Sequence, residues 1–269
     1  MMPPSGQQCP QPNRLKATFV TRSSVQIFPL PGLPEIRPGD DLTCLVLGAL
    51  RMQQIPIVGD DIFVIAQKIV SKAEGRIVSL DSIVPSARAA KWASDWSKDP
   101  RVIELVLRES KRIIRMEQGV IVAETSHGFV CANAGIDLSN ADEGTAILLP
   151  ENPDASARVL QTRLSEALGA DIGIIISDTF GRPWREGLVN VALGVAGVSP
   201  LTDYRGERDA NGKLLQATII ALADELASAA ELVMGKADRV PVAIIRGVAS
   251  AGKGSGRDLI RPEEKDLFR

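Results

Sequence analysis

A single histidine, His127, in a chain of 269 residues removes whole classes of chemistry. Zinc sites built from several imidazoles are excluded, and at most one Ser-His-Asp arrangement is left. Cysteine is nearly as scarce. Cys9, Cys44 and Cys131 are odd in number and widely spaced, which fits reduced thiols in a cytoplasm better than a disulfide framework. Neither sign of charge dominates, with 31 Lys+Arg against 33 Asp+Glu, so bulk electrostatics gives no reason to expect a nucleic-acid or membrane-surface partner. The longest apolar stretches, Gly187 to Gly197 and Pro241 to Ile245, are too short or too polar to span a bilayer. Residues 1–22, rich in Pro, Gln, Ser and Thr, lack the apolar run of a secretory signal and read as a loose extension. Any metal held by this chain must be held mainly by oxygen.

What is present is ordinary for a soluble globular protein: 45% hydrophobic and 24% charged residues. A chain of this length buries on the order of 70–75% of its unfolded surface and has room for one or two domains. Order is expected from the alternating Val25-Gln-Ile-Phe, followed by a proline-rich loop, Pro29 to Ile36, and a helix from about Leu42 to Leu50. A β-rich run, Asp61 to Ala66, leads into the polar stretch Gln67 to Arg76. Helices are expected at Ser86–Asp95, after the Asp99-Pro100 cap, and from Asn152 to a stop at Gly169. Gly119–Ala123 and Gly128–Cys131 read as a strand pair whose turn leaves His127 in solvent. Asn211-Gly212 signals a hairpin, and an Ala-rich helix, Leu222 to Met234, closes at Gly235. Gly247 to Lys253 spells most of a P-loop, but Gly254 stands where the metal-binding Ser or Thr belongs, so it reads as a glycine-rich tail.

Two stretches concentrate hard oxygen donors. In Gly128 to Asn140 an apolar run opens into Ala-Asn-Ala-Gly and then Asp137; in Ile172 to Thr179 a β-branched run ends in Ser177-Asp178-Thr179. Each aspartate could simply cap a turn after its strand. Alternatively both carboxylates, with the Thr179 hydroxyl, hold one hard cation, Mg²⁺ or Mn²⁺. Lys68 and Lys72 are phosphate candidates whose bland alternative is a solvated ion pair. Arg182 and Arg185 bracket Trp184 and could grip a carboxylate or phosphate, or belong to a loop clamped by tryptophan packing.

The ordered set Ser71-Lys-Ala-Glu-Gly-Arg76, Asn133-Ala-Gly-Ile-Asp137-Leu-Ser-Asn140, Ser177-Asp-Thr179 with Gly181-Arg-Pro-Trp-Arg185, and Asp224-Glu-Leu-Ala227 leading to Met234-Gly235 closely resembles the coenzyme F420-0:γ-glutamyl ligase family. The resemblance implies a cytoplasmic GTP-dependent ligase that adds L-glutamate to coenzyme F420-0, and further glutamates through γ-linkages, by way of an acyl phosphate. It also implies Asp137, Asp178 and Thr179 as ligands of Mg²⁺ or Mn²⁺, with K⁺ as a further cation. Leu33, Pro34, Glu35, Ile36, Gln67, Lys68, Lys72, Asn140, Met234, Gly235 and Lys236 would be nucleotide contacts. Lys236 stands where related proteins can offer an oxygen ligand, which puts a second metal site in question. The implied fold is α+β, with mixed and antiparallel sheets and packed helices in two lobes of an intertwined homodimer, and with no Rossmann or P-loop core. Periodicity alone would also allow α/β. The ligase domain is expected over 23–248, with a glycine-rich, charged tail over 249–269. Another metal-dependent GTP phosphotransferase or hydrolase, and a non-enzymatic nucleotide-binding protein, are the rival classes.

Overall fold

The computed structural model describes residues 24–139, 141–249 and 251–267; the expectations placed on residues 1–22 and on Asn140 lie outside them. Strand β1 (Gln26–Pro29) is followed by the proline-rich loop and helix α1 (Leu42–Gln53). Asp41 caps α1, accepting from the Thr43 and Cys44 amides, and pairs with Arg163 at 2.5 Å. Strand β2 (Ile62–Ala66) passes without a loop into α2 (Gln67–Ala73), so the polar stretch after the strand is helical. Then come β3 (Ile77–Ser79), α3 (Ala87–Trp96), α4 (Pro100–Glu109), β4 (Ser110–Glu117), β5 (Val120–Thr125), β6 (Val130–Ala132) and β7 (Thr145–Ile147). Helix α5 (Pro153–Leu168) leads to the long hairpin of β8 (Gly173–Arg182) and β9 (Arg185–Ala196). Short strands β10 (Thr202–Asp203) and β11 (Ile219–Ile220) flank the Asn211-Gly212 turn, and α6 (Leu222–Met234) precedes β12 (Val242–Arg246).

These elements make a mixed α+β fold around a five-stranded sheet of order β1-β12-β2-β8-β9. Strands β2 and β8 run parallel; the other neighbours in this sheet are antiparallel. The strands alternate between two buried faces, as the near-continuous β-branched runs require. Phe63, Ile65, Ile174, Ile176, Val242 and Ile244 pack with the apolar sides of α1 and α5. Ile62, Val64, Ile175, Ala243 and Ile245 pack against Ala223, Ala227 and Ala230 of α6. Each fully buried Ile or Phe here contributes about 1.5–3 kcal/mol relative to exposure. Residues between β3 and β7 build separate apolar clusters, in which α3 and α4 cover the β4-β5-β6 sheet.

The β8–β9 pairing carries a bulge. Ile176 faces Gly194 and Ser177 faces Ala192, leaving Leu193 as the extra residue. Leu193 and Gly194 consequently point the same way: Leu193 packs with Phe129 and Leu149, while Gly194 lies against the Pro153 backbone, where a Cβ would overlap its carbonyl. The small residues of 190–197 thus serve a close backbone approach. Beyond β12, the stretch read as a glycine-rich tail is docked: Ala251 bridges to Val198, and the Gly256 amide donates to Asp154 Oδ1 at 2.6 Å.

The α1 cap yields a pH-dependent expectation. The hydrogen bond from Arg163, opposed by desolvation and helped by the Cys44 amide, pulls the Asp41 carboxyl down to about 2. Its folded value therefore lies below the ordinary 3.8, so its stabilising contribution is present above pH 3.8 and is lost as pH falls through about 2. Asp41→Ala should cost about 1 kcal/mol in urea unfolding at pH 7, and the deficit should shrink between pH 4 and pH 2. An equal deficit across that range would show that the cap is not ionised.

Candidate functional site

Because β2 and β8 are parallel, both deliver their next residues to the same end of the sheet. Pairing stops at Ala66 and Ser177, so Gln67 and Lys68 open α2 beside Asp178 and Thr179. This end of parallel strands is where open sheets leave a crevice. The other walls come from the loop before α1, from the turn after β6, and from the loop joining α6 to β12. Together they enclose a cleft of about 1190 Å³. It is lined by Leu33, Pro34, Glu35, Ile36, Gln67, Lys68, Lys72, Asp137, Asp178, Thr179, Met234, Gly235 and Lys236. Residues drawn from five stretches of sequence therefore meet in one place.

Asp137 is delivered by a tight turn, Asn133–Gly135, in which Asn133, Ala134 and Gly135 all have positive φ of 51°, 52° and 72°. Left-handed backbone is costly at Ala134, and Gly135 is needed because a Cβ there would fall within 2.9 Å of the Leu149 side chain. The turn then rejoins β-pairing opposite Ile147. Asp137 accepts from Lys68 Nζ at 2.7 Å and from the Ser139 amide at 2.6 Å. Burial alone would raise its carboxyl, but the bonds from Lys68 and Ser139 and the Lys68 charge outweigh it, so the group sits below the ordinary range.

Asp178 lies on the other wall with the opposite balance. Burial, helped by the Asp137 charge and opposed by the Thr179 amide and the charges of Lys236 and Lys68, pushes it up to about 6. Among the described residues it has no contact ion pair. Burial, with the Asp178 charge adding to it, also pushes the nearby Cys131 thiol up to about 12, which disfavours the thiolate there at neutral pH. Strand β8 does not end at Asp178 as its sequence suggests. The antiparallel partner β9 carries it on to Arg182, and the turn falls at Pro183-Trp184.

Lys72 is not the solvated residue that its polar neighbours suggest. It is 8% exposed and donates to Glu35 at 2.5 Å, which ties α2 to the proline-rich loop. Gln67 is buried, and its amide nitrogen donates to Ser71 Oγ at 2.6 Å and to the Leu148 carbonyl at 3.1 Å. Lys236 reaches Thr179 Oγ1 at 2.5 Å. Arg182 and Arg185 do not line the cleft; they face each other near the hairpin tip, where Arg182 donates to the Glu186 carbonyl and Trp184 is 81% exposed, so tryptophan burial does not clamp the loop. His127 is half-buried, stacked on Phe129, with Nε2 donating to the Pro150 and Glu151 carbonyls.

Sequence reasoning missed Asn190 and Glu231 and named Ser177 without giving it a role; all three are on the cleft wall. Asn190 accepts from Thr179 and donates to Glu231. Their signal is pairing across β8–β9 and the helical phase of α6, neither of which a linear motif carries. Ser177 Oγ is buried without a hydrogen-bond partner among the described residues, and a buried hydroxyl of this kind normally meets water or a ligand.

The donor chemistry fits a small divalent ion. No group of three or more His, Cys, Asp and Glu side chains forms a metal cage among the described residues. Two carboxylates and a hydroxyl nevertheless suit Mg²⁺ or Mn²⁺, which keep several waters and share phosphate oxygens. The half-buried Asp178, which has no contact ion pair among the described residues, makes with Asp137 an acceptor pair that a cation would stabilise. No helix among the described residues is long and apolar enough to cross a membrane.

Comparison with known proteins agrees with these motifs. The F420-0:gamma-glutamyl ligase family model matches residues 32–247. The chain is 50% identical over 249 residues to the coenzyme F420:L-glutamate ligase of Methanothermobacter thermautotrophicus, covering 91% of this chain and 99% of that protein. It is 48% identical over 252 residues to the protein of the same name from Methanopyrus kandleri, covering 91% and 98%. Against that of Methanocaldococcus jannaschii the figures are 46% over 239 residues, 88% and 94%. With the family model spanning most of the chain and its relatives matched nearly end to end, this chain belongs to the F420-0:gamma-glutamyl ligase family.

Proposed function

We propose that the chain is a cytoplasmic GTP-dependent ligase that joins L-glutamate to coenzyme F420-0 and adds further glutamates by γ-linkage, releasing GDP and phosphate. The observation that carries the reading is the meeting of Asp137 and Asp178 with Lys68 and Lys72 in one cleft. Such a set neutralises phosphate oxygens and needs no side-chain nucleophile. A substrate carboxylate oxygen attacks the γ-phosphorus of GTP, the bond to the β,γ-bridging oxygen breaks, and GDP leaves. The glutamate amine then attacks the acyl carbon, phosphate leaves, and the amine nitrogen loses its proton to solvent. In this reading Asp137, Asp178 and Thr179 hold Mg²⁺ or Mn²⁺, which supplies charge neutralisation of the transferred phosphoryl group; K⁺ is the further cation. Lys72, fixed by Glu35, and Lys68 orient the phosphates, and Leu33–Ile36 with Met234–Lys236 frame the nucleotide. Arg182 and Arg185 would contact an acidic substrate from the hairpin. We take residues 23–248 as the ligase domain. Two lobes, an intertwined homodimer and the absence of a Rossmann or P-loop core complete the proposal.

Mass spectrometry of the protein incubated with F420-0, L-glutamate, GTP and Mn²⁺ or Mg²⁺, with each omitted in turn, tests this. Glutamate-sized increments that require all four are expected. GDP formation without increments would favour a phosphotransferase or hydrolase instead. Lys72→Ala should raise the GTP concentration for half-maximal rate about tenfold or more, the loss of one charge-assisted contact worth about 1.5–3 kcal/mol; unchanged GTP dependence would remove Lys72 from the site.

A further inference from the structure

The loop after α6 places an ammonium group inside a ring of oxygens. Gly235, at φ 59°, turns the chain so that Lys236 Nζ lies 2.5 Å from Thr179 Oγ1, 3.2 Å from Glu231 Oε1 and 3.5 Å from Asn190 Oδ1. The three oxygens belong to β8, α6 and β9 respectively, so three elements of the core converge on one charge. A carboxylate, an amide oxygen and a hydroxyl are the donors that bind hard cations. Asn190 is itself fixed, 4% exposed and tied to Glu231 through its amide nitrogen at 2.9 Å. The remaining wall residue, Ser177, offers a further buried hydroxyl.

We infer that Lys236 is a built-in cation held against Thr179, Asn190 and Glu231, so that the chain takes one divalent ion, at Asp137 and Asp178 with the Thr179 hydroxyl at the border between the two positions, and that removing the ammonium opens a second cation site at Asn190 and Glu231 with Thr179 shared. The inference rests on the proposed metal-dependent reading, and its consequence is stoichiometric. A tethered ammonium gives positive charge without any dependence on the concentration of a second ion. Its long stem, with the side chain 63% exposed, also allows it to withdraw when a phosphate oxygen takes its place against Thr179.

The test is a Mn²⁺ titration of the purified, nucleotide-free protein, with the free ion counted by its paramagnetic resonance signal. Native chain, Lys236→Ala, Lys236→Arg, the double variant Lys236→Ala/Glu231→Gln, and Asp137→Asn are compared. One equivalent is expected for the native chain and for Lys236→Arg, two for Lys236→Ala, and one again for the double variant. Equal stoichiometry in the native chain and Lys236→Ala would overturn the inference and reduce Lys236 to a surface ion pair. The separate difference between the native chain and Asp137→Asn reads the first site: its absence would sink the metal reading, whatever Lys236→Ala does.

Discussion

Asp178→Asn is expected to abolish glutamate addition, by at least 10²–10³-fold as an order of magnitude for losing a preorganised charge at a phosphoryl centre, while leaving the fold as stable as before or more so. The two effects have one cause. Asp178 is half-buried, and desolvation together with the Asp137 charge pushes its carboxyl up to about 6. A folded value above the ordinary 3.8 means that ionisation opposes folding: the penalty is absent below pH 3.8 and fully present above about 6. An amide of the same shape removes that penalty at neutral pH, yet it is a poor ligand for a hard cation. Activity by mass spectrometry and melting with the divalent ion chelated read the two halves independently. Normal turnover would remove Asp178 from the site, and a lower melting temperature would show that its charge is compensated in the free protein.

The largest effect on stability is expected far from the cleft. Asp61 is completely buried and accepts from Arg246 Nε at 2.7 Å and from its terminal nitrogen at 2.6 Å, with the Val58 amide at 3.0 Å. The guanidinium also lies 5.3 Å from the centre of the Phe28 ring, so one side chain joins β1, β12 and the start of β2. Arg246→Met should cost about 3–5 kcal/mol, because it leaves an interior carboxylate with no cation. The double variant Arg246→Met/Asp61→Asn should recover much of that loss, since the cost lies in the stranded charge more than in the missing bond. Urea unfolding of the three proteins decides it; a single-variant loss below about 1 kcal/mol would place the pair with ordinary surface bridges.

Local chemistry made much of this molecule legible. Asp41, Ser86, Asp99 and Asn152 all cap the helices that their side chains announce, and the β-branched runs at Ile62 and Ile172 are strands buried on both faces. The cleft was legible only as an ordered set of motifs, since Glu35, Lys72, Asp137 and Lys236 are brought together by strand order, which no single motif encodes. Errors arose where tertiary context overrode local composition. Local composition leaves Lys72 open between a phosphate contact and a solvated ion pair, and the structure shelters it against Glu35 of the proline-rich loop; His127, read as solvated in a polar turn, is gripped by the carbonyls of Pro150 and Glu151. The C-terminal glycines read only as a glycine-rich tail, without a docking site, because the partner of Gly256, the backbone of β9 at Leu193, is some sixty residues away in sequence.

The single extra residue in β9 gives the site its handedness. Inward of Leu193 the strand follows the parity of the scaffold; outward of it the parity is reversed, so that Asn190 and Ala192 share the α6 side with Val195. Leu193 thus acts as a phase shifter between a structural half and a chemical half of one strand. A substitution there changes packing, but a deletion would rotate Asn190 to the opposite face and separate Thr179 from its partner. The length of this strand, and not only its composition, is therefore part of what the protein must preserve to keep Thr179, Asn190 and Glu231 together on one wall of the cleft.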